Sequence, residues 1–90
     1  MIAVEVAYTT PSPDRDRLRP AHRERLNRLH AEGKIFASGP WPDDTGALLI
    51  FNTAADEARR LVDEDPYFQV DGVRVVSVRE WNVVVGGPQG

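Results

Sequence analysis

The stretch Lys34-Ile-Phe-Ala-Ser-Gly-Pro-Trp-Pro-Asp-Asp-Thr-Gly-Ala-Leu-Leu-Ile-Phe51 sets two short apolar runs on either side of a reversal. Its middle, the eight residues from Gly39 to Gly46, holds Pro40, Pro42, Asp43 and Asp44, the residue types that turn a chain. Lys34–Ser38 and Ala47–Phe51 therefore read as two strands of a hairpin. A hairpin at the centre of the chain leaves one segment on each side of it, and those segments determine the fold.

On the N-terminal side, Ile2–Tyr8 is a strand rich in Val and other β-formers. Thr9–Pro13 contains two prolines and ends it. A helix follows, and two starts are open: Asp14 with a kink at Pro20, or a fresh start near Leu18 with Pro20 in the first turn, where a missing N–H costs little. Gly33 stops it as a left-handed C-cap. On the C-terminal side, Thr53 is a good N-cap with Asp56 in the reciprocal position, and the helix runs to about Glu64. Asp65-Pro66 ends it, since the residue before proline is pushed out of the α region. Tyr67–Gly72 connects to a long last strand, Val73–Val85.

The order βαββαβ, without repeats or linkers, is the split-βαβ, ferredoxin-like pattern: an α+β fold with four antiparallel strands and two helices on one face. The chain is expected to be a single domain over residues 1–85 with a flexible tail at 86–90. Strict alternation sends Val73, Val75, Trp81, Val83 and Val85 to one face of the sheet and Val76, Val78 and Val84 to the other. The hairpin likewise offers Ala47, Leu49 and Phe51 against Leu48 and Ile50. Two helices cover one face only, and each large apolar side chain buried contributes ~1.5–3 kcal/mol. A homodimer through the open sheet face is the expected solution.

Composition narrows the function. The net charge is −3 and the pI about 5.2, which argues against nucleic acid, and Val73-Arg74-Val75-Val76-Ser77-Val78 lacks the aromatic-basic strand motif of RNA-binding sheets. There is no cysteine, so no disulfide and no thiolate metal site. His22 and His30, eight apart, make a poor zinc site. Met1–Glu5 does not read as a signal peptide, the longest apolar run, Ala47–Phe51, is far short of a membrane span, and a cytoplasmic location is expected. No flavin, haem or nucleotide signature appears, nor a phosphate loop or a nucleophile elbow around Ser12, Ser38 or Ser77. No cofactor is expected. The first helix nevertheless carries Arg15, Arg17, Arg19, Arg23, Arg25 and Arg28, which reads either as a solvated face or as attraction for an anionic ligand.

His22 stands four residues after Leu18 and four before Leu26, on the inward stripe of that helix. His30 is rotated away and reads as a flank or surface residue. An inward histidine is either a satisfied core residue or a functional one whose imidazole is oriented by a partner. Asp65 lies at the C-terminal, negative end of the second helix, where a carboxylate needs compensation that a histidine can supply. Otherwise Asp65 caps the Pro66 turn.

Three segments taken together, Arg19-Pro20-Ala21-His22, Ser38-Gly39-Pro40 and Asp63-Glu64-Asp65-Pro66-Tyr67, give the chain a specific likeness. It resembles the YciI-like (YCII-related) family from Ile2 to about Val84. The resemblance implies a dimeric α+β barrel made by two sheets face to face. It also implies a pocket holding a His–Asp pair, matched here by His22 and Asp65. One departure is the short connection after Gly39-Pro40, where family members often carry a glycine-rich insertion.

The activity expected from this is that of a cofactor-independent lyase or isomerase acting on a small cyclic or aromatic compound. His22 serves as general base or acid and Asp65 orients it. Arg19, Ser38, Trp41 and Tyr67 are the further substrate-binding candidates: an anion contact, a donor, a wall and a phenol. The alternative is a non-catalytic small-molecule binding or accessory module in which the pair is a structural bond. A third reading, a dimerisation domain with a core histidine, requires a solid core beside His22.

Overall fold

The computed structural model describes residues 1–9 and 11–86. Strands β1 (Ile2–Tyr8), β2 (Ile35–Pro40), β3 (Gly46–Phe51) and β4 (Val73–Glu80) alternate with helices α1 (Pro13–Ala31) and α2 (Ala55–Asp63), and a 3₁₀ turn spans Pro66–Phe68. The sheet order is β2-β3-β1-β4, with every neighbouring pair antiparallel. This is the expected α+β ferredoxin-like fold. Of the expected tail at 86–90, residues 87–90 lie outside those described.

The alternate residues Ile2, Val4 and Val6 of β1 turn to the core, where Leu49 and Phe51 of β3 join them. Leu29 of α1 and Ala58, Leu61 and Val62 of α2 pack against this same face, so both helices share it. The opposite face carries Ala3, Glu5 and Ala7 of β1, with Leu48 and Ile50 paired alongside on β3.

The start of α1 falls one residue before the first of the two expected positions, Asp14. The Ser12 hydroxyl accepts the Arg15 N–H at 3.3 Å, Pro13 takes the first helical position, and Pro20 lies inside a continuous helix. The Ser12 hydroxyl also donates to the Asp71 carbonyl at 2.9 Å, tying this end of α1 to the loop before β4. Gly33, with φ +80°, leaves the other end in the left-handed region as expected.

Three expectations need correction. Thr53 does not cap α2. Ala54 occupies that position without a side-chain cap, because the Thr53 hydroxyl donates to the Ala54 carbonyl instead. The last strand ends at Glu80 rather than Val85. Its final backbone bond runs from Trp81 N–H to the Met1 carbonyl, so β1 offers no further partner, and Val84 and Val85 stand exposed. Strict alternation also fails in β4. Val78 pairs with Val4 but Val75 pairs with Val6, which leaves Val76 as the extra residue of a bulge. Val73, Val75 and Val78 thus all pack against the core, while Val76 turns out to solvent.

A second irregularity in β2, at Phe36, shifts its register on β3. The strand continues to Pro40, so the turn into β3 is shorter than the eight residues expected. Asp44 within it adopts φ +58°, and a side chain at Gly46 would come within 2.1 Å of the Val6 carbonyl oxygen.

Candidate active site

Helix α1 buries three residues spaced seven apart, Arg15, His22 and Leu29. Two helical turns separate each from the next, so they form one line facing the sheet. Two of the three are polar, which is why α1 shows so little amphipathic contrast in its sequence.

Asp65 reaches this line from the far end of α2. It is the N-cap of the 3₁₀ turn, where its Oδ1 accepts the Tyr67 N–H at 3.0 Å. Its Oδ2 accepts from His22 Nδ1 at 2.7 Å and from Arg25 Nη1 at 3.3 Å. Arg25 Nη2 donates in turn to the Leu61 carbonyl at 2.8 Å, fixing the guanidinium between α1 and α2. His22 and Asp65 are 8% and 2% exposed, so the bond between them is dry. Burial by itself would raise the Asp65 carboxyl. The His22 hydrogen bond, the Tyr67 N–H and the charge of Arg25 more than reverse this and hold it below the ordinary carboxylate value.

An ionised carboxylate only accepts, so the proton of this bond sits on His22 Nδ1. In the neutral imidazole Nε2 then carries the lone pair, and among the described residues it has no hydrogen-bond partner. The ring is held firmly. Tyr67 stacks on it with centroids 3.9 Å apart and an interplanar angle of 7°, and Phe68 meets it edge-on at 5.2 Å.

His22 borders a cavity of about 410 Å³ between α1, the 3₁₀ turn and the β2–β3 hairpin. Arg19, Ser38 and Tyr67 line it with His22, as the sequence suggested. Asp65 does not; it stands behind the imidazole. Trp41 is not among the lining residues either. It sits in the hairpin turn, its backbone N–H donating to the Gly46 carbonyl, and the residue is 39% exposed. His30 is exposed, as expected, and its Nδ1 donates to the Ile35 carbonyl at 2.9 Å.

The structure adds Tyr8, Arg15 and Asp44 to the cavity wall. Arg15 is 2% exposed, its guanidinium carbon lies 4.1 Å above the centre of the Tyr8 ring, and its Nη2 meets Asp44 Oδ2 at 2.9 Å. Burial opposes the Arg15 charge, but Asp44 and Tyr67 together more than offset it. The buried phenol of Tyr8, next to the Tyr67 phenol, is pushed up. A signal for Arg15 existed: it lies seven residues before His22, on the same line of the helix. Among the described residues no group of three His, Cys, Asp or Glu side chains is placed to hold a metal ion. No described helix is long and apolar enough to cross a membrane.

A ferredoxin-like sheet with a buried His–Asp bond at the edge of a small polar cavity defines the class. The chain belongs to the YCII-related domain family, whose model matches residues 1–82. It is 32% identical over 78 residues to Protein YciI of Escherichia coli O6:H1 (strain CFT073), covering 74% of this chain and 80% of that one. Protein YciI of Shigella flexneri matches to the same extent.

Proposed function

We propose that the protein is a cofactor-independent enzyme of lyase or isomerase type that acts on a small cyclic or aromatic compound. The observation that carries this reading is the arrangement of His22. One ring nitrogen donates to a buried carboxylate at 2.7 Å, and the ring borders the cavity. Nε2 takes a proton from a substrate carbon or hands one to a leaving group. Asp65 keeps the tautomer and stabilises the imidazolium that forms, the part a carboxylate plays in a triad. Tyr67 and Phe68 hold the ring in line. A base placed in this way contributes ~10²–10⁴-fold to rate.

The test is turnover of a panel of small cyclic and aromatic compounds by the wild type, His22→Ala and Asp65→Asn, with folding checked by circular dichroism. Both variants are expected to lose at least ~10²-fold in kcat on any compound turned over. Unchanged turnover in His22→Ala defeats the reading. A non-catalytic binding module is the second reading, and one observation favours it: Asp65 also caps the 3₁₀ turn and anchors Arg25, so the carboxylate has a structural task of its own. A cavity beside His22 counts against a purely structural domain.

The working form proposed is a homodimer through the sheet face that the helices leave uncovered. Ala3 and Leu48 lie there half-buried. A second copy is the simplest cover for them.

A further inference from the structure

We infer that the cavity takes a small aromatic or cyclic carboxylate, its acid group held by Arg19 and Arg23 and its ring laid against the apolar wall. The inference rests on the proposed function only for what happens at His22 Nε2; the acid contact stands on the charges around the cavity. Although the chain carries a net charge of −3, three arginines line this one cavity. They are Arg15, Arg19 and Arg23, spaced by four, so they follow one row of α1 on the side that also carries His22. A single carboxylate, Asp44, lines the cavity with them, and it is engaged by Arg15 at 2.9 Å.

Among the described residues the remaining two cations have one carboxylate partner between them, at the surface. Arg19 pairs with Asp16, whose side chain is 63% exposed, and such a pair is screened and worth little. Arg23 has no ion pair among the described residues. Arg15 and Asp44 offset each other, so the excess charge of the lining is that of Arg19 and Arg23. A cleft with a net positive lining concentrates anions. The guanidinium fork matches a carboxylate, two parallel N–H···O bonds at a time.

The other wall fixes the rest of the ligand. Pro40, Ala47 and Leu49 of the hairpin are apolar, as is Leu26 of α1 beside them, and a cavity of about 410 Å³ falls in the range that encloses a small organic molecule. An acid group at Arg19 and Arg23 sets the ring at His22, because Arg19 and His22 are three residues apart, ~4.5 Å along the helix axis. Inorganic phosphate would meet the arginines and leave the apolar wall unused.

Calorimetric titration of the full chain with benzoate and with its neutral isostere benzamide tests this. Benzoate is expected to bind at least ~10-fold more tightly than benzamide and than inorganic phosphate, and to weaken as salt is raised. In the double variant Arg19→Gln/Arg23→Gln, folded by circular dichroism, the preference for benzoate over benzamide is expected to vanish. In His22→Asn it is expected to persist. Equal binding of benzoate and benzamide by the wild type, no benzoate binding, phosphate binding as tight as benzoate, or an unchanged preference in the double variant overturns the inference. If the preference is found but His22→Ala turns over substrate normally, the catalytic reading fails and this one stands.

Discussion

Asp65 receives three donors on two oxygens: the imidazole of His22, the guanidinium of Arg25 and the backbone N–H of Tyr67. An asparagine there is the same size but uncharged, and it turns a donor toward groups that themselves donate. Asp65→Asn is therefore expected to cost roughly 3 kcal/mol, read from urea unfolding. The pH dependence follows from the same contacts. The folded carboxyl titrates below its ordinary value of 3.8, so near that pH the unfolded chain binds more protons than the folded one. The contribution is complete above the ordinary value and is lost as pH falls through the folded one. Thermal melts of the wild type should show a steeper acid limb below about pH 4 than those of Asp65→Asn. The two residues of this pair were each legible in the sequence, His22 from its place on the inward stripe and Asp65 from its awkward seat before Pro66. Their meeting could not be read from spacing, since α1 and the end of α2 are brought together only by the sheet; the family resemblance alone implied it. Arg15 was missed for a different reason: an arginine near a helix start reads as solvated, and its burial depends on Asp44, which is remote in sequence, and on the Tyr8 ring, which the fold lays under it.

The hairpin β2–β3 forms one wall of the cavity, and its geometry depends on close backbone approach at Gly46. A Cβ there would meet the Val6 carbonyl oxygen at 2.1 Å, so Gly46→Ala has to push β3 away from β1. A loss of roughly 2 kcal/mol or more is expected in thermal unfolding, with a larger loss for Gly46→Val. At the N-terminus of α1, Ser12→Ala removes the helix cap and the bond to Asp71 together, an expected cost of ~1–2 kcal/mol. Element order, the end of β1, the Gly33 stop and the break at Asp65-Pro66 could all be read from the sequence, because each rests on local chemistry. The bulge at Val76 could not. In a run of valines every register looks equally apolar, so only the partner strand decides which residue is left out. The end of β4 at Glu80 is likewise set by where β1 begins, not by anything in Trp81–Val85.

At the scale of the whole molecule, ninety residues build a sheet covered on one side by both helices. The proposed dimer closes the other side. Sedimentation at micromolar concentration is expected to give a species of twice the 10.0 kDa chain mass, and a boundary at the single-chain mass alone refutes it. That face was legible as apolar in Leu48 and Ile50. The valine count overstated it, since the bulge returns Val75 and Val78 to the same core.

The several tasks of Asp65 bear on how variation in this fold is interpreted. Selection for a folded chain alone retains a carboxylate that caps a turn and clasps an arginine, even in a lineage whose chemistry has decayed. Its presence in a relative is therefore a mark of architecture. The mark of the proposed activity is to be sought at the free nitrogen of His22 and along the arginine row beside it.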